Sequence, residues 1–248
     1  MITLVRLELL KMRTTPAMWV TGGVIAGLTL MSCVVTILLA GKNGTAPLGS
    51  ASNASHVLAV GAATSVGMLL LGITISAGED RHRTVLQTYL AQPRRGRVLF
   101  AKLLTGAVVG AALGGAAYAL DLAIAVPLYA TRGVHHLPLN LAELGAGTVL
   151  ATSCFGLLGV ALGALTRNTV VSIVAALVWV GIIELAVLQP TFPVVGKWLP
   201  AAASKALTNL GQGDPGLLNP VVAAVVLVGW GAALALIASR VTVRREVR

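Results

Sequence analysis

Along the chain, apolar and polar positions separate into six long apolar runs, 17–40, 57–77, 103–129, 143–165, 169–188 and 220–239, divided by shorter polar or basic segments. A helix crossing a hydrocarbon layer about 30 Å thick needs roughly 20 apolar residues. Barrel strands would instead be about 10 residues of alternating polarity. The pattern therefore predicts an all-α polytopic membrane protein with six transmembrane helices, residues 1–248 forming a single domain. The first run is longer than the roughly 7–15 apolar residues of a signal peptide, so it is expected to stay attached.

The interruptions carry their own periodicity. Ile2, Val5, Leu9 and Met12 share a helical stripe, with Arg6, Lys11 and Arg13 largely off it and Pro16 breaking the helix before the first run. Residues 1–16 thus predict an interfacial elbow helix. Between the second and third runs lies "GEDRHRTVLQTYLAQPRRGRVLFAK", 78–102, with six basic residues and two acids. Asp80 is placed to cap a short helix from Arg81 to Gln92, and Pro93 marks its end. Val85, Leu86, Tyr89 and Leu90 give that helix one apolar face. An amphipathic helix here is built to lie on lipid or to fill a groove on a partner. Between the fifth and sixth runs, 189–219 is rich in proline and holds Phe192, Trp198 and Leu199, which predicts an interfacial or partly re-entrant helix over the bundle.

Composition agrees: 56% of residues are hydrophobic and 10% charged, whereas a soluble domain carries about a quarter charged residues. The net charge of +10 reads as orientation. Fourteen of the eighteen Lys and Arg fall before the first run, after the second, between the fourth and fifth, or after the sixth, against Lys42, Arg132, Lys197 and Lys205 on the other side. Basic loops stay inside, so both termini and the 79–102 segment are expected to be cytoplasmic, beside anionic lipid. No continuous basic patch with interleaved aromatics points to nucleic acid.

Catalytic chemistry is sparse. There is no phosphate-binding G-x-x-x-x-G-K-[ST] loop, no H-E-x-x-H zinc site and no G-x-S-x-G nucleophile turn, so no enzyme activity and no cofactor are expected of the chain. Cys33 and Cys154 lie within apolar runs and form no CxxC pair. His135 and His136 are adjacent, without a third ligand nearby for a metal. "NGT" and "NAS", at Asn43 and Asn53, are three-residue sequons of the kind that occur by chance.

Within the apolar runs, glycines repeat at i+4: Gly23 and Gly27, Gly106, Gly110 and Gly114, Gly159 and Gly163. Such faces allow close helix packing, within a bundle or at a dimer seam. Three acids stand out: Asp121 in the third run, Glu184 in the fifth and Glu143 at the outer end of the fourth, with no Lys or Arg inside any run to neutralise them. An acid in hydrocarbon is costly and usually faces a bundle interior or wet cavity. Asp121 and Glu184 are candidate substrate-pathway residues that would attract cations; packing alone, with hydrogen bonds to hydroxyls or backbone, is the alternative.

"ELLKMRTTPAMW", 8–19, then "E-x-R-x-x-T" (Glu79, Arg81, Thr84) and "P-R-x-x-x-x-x-A-K" (Pro93 to Lys102), resemble the ABC type-2 permeases, the six-span membrane subunits of bacterial ABC exporters. The resemblance covers the whole chain in span count and loop placement. Arg83 stands where that family usually has the glycine of "R-x-G-T". The resemblance implies a coupling helix in 79–102 docking on a separate ATP-binding subunit, which holds ATP and magnesium, with two permeases per transporter in the bacterial plasma membrane. Glu79, Arg81, Arg83, Thr84, Pro93, Arg94 and Arg95 would serve that coupling, with Glu79 able to pair with the elbow helix or the partner. The implied activity is export of a drug, antibiotic, peptide or lipid-like compound. An ion-gradient-driven transporter or channel using Asp121 and Glu184 is the alternative; it would predict discontinuous spans and inverted repeats, and no repeat relates 1–129 to 143–239. A membrane anchor or immunity protein without transport would need neither acids in the spans nor an elaborate cytoplasmic helix.

Overall fold

A computed structural model describes residues 2–41, 47–58, 60–81, 95–134, 137, 139–208 and 216–244. The described residues form helices and connecting turns, with no strand among them. Helix α1, Ile2–Thr14, and α2, Pro16–Leu39, are separated by a single extended residue, Thr15. Pro16 begins α2, where its missing N–H leaves no intrahelical bond unmade. The expected break before the first run is therefore present, and α1 ends two residues short of it.

The second run begins differently from its expected start at 57. A short helix α3, Ala51–Val57, capped by Ser50, ends where that run was to begin, and α4, Val60–Arg81, follows. The third helix, α5, Arg95–Ala130, begins eight residues before its apolar run and so draws part of the charged stretch into regular helix. Its 36 residues span about 54 Å at 1.5 Å per residue. Helix α6, Leu141–Thr166, starts at the cap residue Asn140, whose side chain accepts from Glu143 N at 3.3 Å. Helix α7, Thr169–Leu177, runs on without a break as a π-helical segment, Val178–Leu188. Two short turns, Gln189–Thr191 and Pro193–Gly196, lead to α8, Pro200–Thr208, and α9, Pro220–Arg244, closes the fold.

Among the described residues, five helical stretches are long and apolar enough to cross a membrane: Met18–Leu39, Gly96–Ala130, Leu141–Thr166, Thr169–Thr191 and Pro220–Thr242. Helix α4 carries a shorter apolar segment, Ala63–Gly78. The chain is thus a polytopic helical membrane protein.

Helices α4, α5 and α6 make the centre, and they touch through glycine. A β-carbon on Gly106 of α5 would fall 2.9 Å from the Gly156 carbonyl oxygen of α6, and one on Gly110 would fall 2.8 Å from Ser153 Cα. On the other side of α6, a β-carbon on Gly159 would sit 3.0 Å from Gly72 Cα of α4, and one on Gly163 2.9 Å from the Ile73 carbonyl oxygen. Such distances leave no room for any side chain, so backbone packs on backbone as in other small-residue interfaces. The Gly106, Gly110, Gly114 and Gly159, Gly163 repeats thus pack inside this chain. Gly23 and Gly27 do not: nothing lies within 4 Å of a β-carbon at either.

These contacts also fix directions. Gly106 meets Gly156 while Tyr118 meets Gly145, so α5 and α6 are antiparallel. Leu69 meets Gly159 while Ser76 meets Gly163, so α4 runs parallel to α6. Helix α2 runs with α5, since Ile25 packs with Ala117 and, further along both, Cys33 packs in one cluster with Ala125 and Tyr129. Around this centre, α2 turns the buried stripe Ile25, Thr29, Cys33 and Ile37 inward. Helix α7 and its π segment likewise bury Ser172, Ala176, Val180 and Glu184 and expose most of the rest. The exposed faces of α2, α7 and α9 are Val, Leu, Ile and Trp, as lipid contact requires.

Candidate functional site

Two regions at opposite ends of the bundle hold the buried charged side chains among the described residues, Glu8 and Lys102 at one and Asp121 and Glu184 at the other. The first is where α1 meets α4 and α5. On α1, Val5 and Leu9 face inward as their period predicts, and Glu8 falls on the same face and is buried. Its Oε2 lies 3.4 Å from Nζ of Lys102, about two turns into α5, and its Oε1 3.3 Å from Nζ of Lys11. Lys102 also approaches the Ile75 carbonyl oxygen of α4 at 3.5 Å. Side-chain exposure is 8% for both Glu8 and Lys102, so this ion pair joins three helices in a largely dry setting. A buried charge left wholly alone would cost about 3–5 kcal/mol; here Lys11 stays beside Glu8 and softens that cost.

This junction stands beside the expected coupling segment. Glu79 and Arg81 are in the last turn of α4 and Arg95 opens α5; their side chains, and Arg83, Thr84, Pro93 and Arg94 altogether, lie outside the described residues. The expected pairing of Glu79 with the elbow helix lies there too. Lys102, read from sequence as an orientation charge, is instead the buried partner of Glu8. The signal was present: Glu8 begins the first resemblance motif, Lys102 ends the second, and Glu8 falls three residues after Val5 on the apolar stripe.

The same end holds the link between α6 and α7. Arg167 takes a left-handed conformation, φ 55°, and closes the α6 terminus by donating its N–H to Gly163 O. Asn168 then caps α7, accepting from Val170 N and Val171 N at 3.0 and 3.2 Å. The hydroxyls of Thr166 and Ser172 pair across the link.

The second region is at the far end, where the two acids have different surroundings. Glu184 sits in the π segment, wholly buried, with Oε1 accepting from Ala201 N at 2.5 Å and Ala202 N at 3.0 Å. It therefore caps the first turn of α8, filling donors that a helix start leaves open. Helix α8 is itself buried: Pro200, Ala202, Ala203, Ser204, Ala206, Leu207 and Thr208 are enclosed. It packs on α4, α6 and α9, with Ser204 Oγ donating to Ser65 Oγ at 3.3 Å. Trp230 Nε1 on α9 donates to Trp198 O at 2.9 Å, fastening the approach to α8. Part of the segment expected to be interfacial or partly re-entrant, α8, thus packs into the bundle, while Phe192, Val194 and Trp198 ahead of it are exposed.

Asp121, on α5, is also wholly buried, but neither carboxylate oxygen has a hydrogen-bond partner. Glu143, the third acid, is exposed in the first turn of α6 and bonded by Asn140 Nδ2 at 3.3 Å. Sequence offered Asp121 and Glu184 as candidates for one pathway; the packing gives Glu184 Oε1 a capping task and leaves Glu184 Oε2 and both Asp121 oxygens without a hydrogen bond. No group of three or more His, Cys, Asp and Glu side chains suited to a metal occurs among the described residues. Cys33 and Cys154 are free and buried. Comparison with known proteins gives no match, either to a protein-family model or to a curated protein.

Proposed function

We propose that the chain is the membrane-spanning permease subunit of an ABC transporter, forming the path for ATP-driven export of a drug, antibiotic, peptide or lipid-like compound. A separate ATP-binding subunit hydrolyses ATP, and a second copy or a related permease completes the pathway. In this reading α4 is a sixth crossing, so that α2, α5 and α7 run outward and α4, α6 and α9 inward. Support for it comes from α4 lying parallel to α6 along the glycine seam. Both termini and residues 79–102 then face the cytoplasm of a bacterial cell, and α1 lies as an elbow in the inner interface.

The observation that carries the reading is the Glu8–Lys102 pair. It ties α1 to the helix ends from which the charged segment departs and to which it returns, so a force applied to that segment reaches α1, α4 and α5 together. Arg81, Arg83, Arg94 and Arg95 supply charge for docking, with Glu79, Thr84 and Pro93 shaping the segment.

Affinity purification in mild detergent tests this, with co-eluting chains identified and ATP hydrolysis measured. An ATPase that accompanies the wild type and is lost from a folded variant with Arg81, Arg83, Arg94 and Arg95 all changed to Ala supports the reading. Intact permease with no ATPase in either sample sinks it. The second reading, an ion-gradient-driven transporter, then takes its place; the observation favouring it is Asp121, buried without a partner.

A further inference from the structure

Asp121 poses a problem that the rest of the bundle does not solve. A buried carboxylate without a partner costs several kcal/mol if ionised, and such groups neutralise or find a counter-charge. No lysine or arginine occurs in α2, α6 or the part of α5 beyond Lys102. Among the described residues, the titratable groups near enough to feel its field are Cys33 of α2 and Tyr118 and Tyr129 of α5 itself. Both tyrosine hydroxyls are committed elsewhere, Tyr118 donating to Leu141 O and Tyr129 to Asn53 Oδ1, each at 2.6 Å. His56 of α3 and Glu143 of α6 are exposed. Ile37, Leu122, Ala125 and Leu144 form an apolar cluster with Cys33 and Tyr129 here, and the buried Thr29 of α2 gives its hydroxyl to Ile25 O.

Chemistry narrows the ligand. A hard metal ion demands about six or more oxygen ligands, and Asp121 brings two. A proton needs only one oxygen. A lipophilic organic cation needs one anionic group set in an apolar and aromatic wall, which is what Asp121, Tyr118, Tyr129 and their neighbours provide. Access requires α2 to part from α5, and α2 meets the bundle through one narrow stripe in which Thr29 and Cys33 are the residues level with this part of α5.

We propose that Asp121 is a recognition site for lipophilic organic cations that exchanges its proton for the ligand. In the closed bundle the carboxyl carries a proton. When α2 and α5 separate, its O–H bond breaks, the proton leaves to water, and the carboxylate pairs with the cation; no redox step is involved. The proposal names a substrate class for the permease reading, but it rests on the surroundings of Asp121 and not on the ATPase.

The test uses the full chain, purified in weakly buffered detergent solution near neutral pH and titrated with tetraphenylphosphonium while binding and pH are followed. Saturable binding with about one proton released per cation is expected. D121N should lose both, while E143Q, at the exposed acid in the first turn of α6, should retain both. In parallel, dicyclohexylcarbodiimide, which modifies protonated carboxyls in apolar surroundings, should label Asp121 in the wild type and be blocked by the cation. Unchanged binding in D121N, binding without proton release, or an unlabelled Asp121 in the wild type would each overturn the proposal. The labelling arm stands even where D121N fails to fold. Loss of the co-purifying ATPase leaves this result untouched, so the two readings fail separately.

Discussion

Glu8 and Lys102, 94 residues apart in sequence, meet at 3.4 Å with each side chain 8% exposed. A glutamate on the first helix therefore depends on a lysine at the base of the third long one, and Lys11 completes the neutralisation at 3.3 Å.

Breaking this pair is expected to cost less than the roughly 3–5 kcal/mol of a buried charge left alone, because Lys11 stays beside Glu8. Lys102→Met should lower the melting temperature in detergent markedly. The double variant Glu8→Gln with Lys102→Met, which removes both charges, should recover much of the loss. A double variant no more stable than Lys102→Met would show that the pair is not the reason.

Glycine at the central seam should tolerate nothing larger. Gly110→Ala puts a β-carbon 2.8 Å from Ser153 Cα, and backbone must move, at about 1–3 kcal/mol. Gly23→Ala and Gly27→Ala, at which a β-carbon meets nothing within 4 Å, should stay within about 0.5 kcal/mol of the parent. Melting curves of the three variants side by side decide it.

Helix α8 should loosen when its cap is removed. Glu184→Leu leaves Ala201 N and Ala202 N without their acceptor, a cost of about 1–3 kcal/mol per buried donor. With Cys33 and Cys154 replaced by Ser, a cysteine introduced at buried Ser204 should become reactive to maleimide in Glu184→Leu and stay protected in Glu184→Gln. Equal protection in all backgrounds would mean that α8 is held by packing alone.

The proposed six crossings make a prediction about sidedness. Arg132 and Arg167 are both exposed, and α6 lies between them; on the proposed topology with cytoplasmic termini, Arg132 is outside and Arg167 inside. In the same cysteine-free background, Arg132→Cys should react with an impermeant maleimide on intact cells, and Arg167→Cys only after permeabilisation. Reaction of both on intact cells would rule out this topology.

Much of this architecture is legible in the residues because lipid contact imposes itself along whole helices: the runs at 143–165, 169–188 and 220–239 lie within α6, α7 with its π segment, and α9. Pairings between helices are a different matter. Gly23 and Gly27 repeat at the same spacing as Gly106 and Gly110, yet one pair faces open space and the other a neighbouring backbone. Spacing states which side of a helix is small, not what stands opposite. Asp121 and Glu184 look alike in sequence for the same reason; only the fold brings the start of α8 to one of them. Lys102 hid among orientation charges because its partner is far away along the chain.

The π segment has a consequence for Glu184 in terms of rotational phase. Each π residue turns the chain by about 80°, against about 100° in an α-helix. Over the six steps from Val178 to Glu184 the difference accumulates to roughly a third of a turn. In continuous α geometry, Glu184 would swing away from the line of Ser172, Ala176 and Val180 toward the hydrocarbon, out of reach of Ala201 and Ala202. The widened coil thus acts as a phase shifter, keeping the carboxylate pointed at the end of α8.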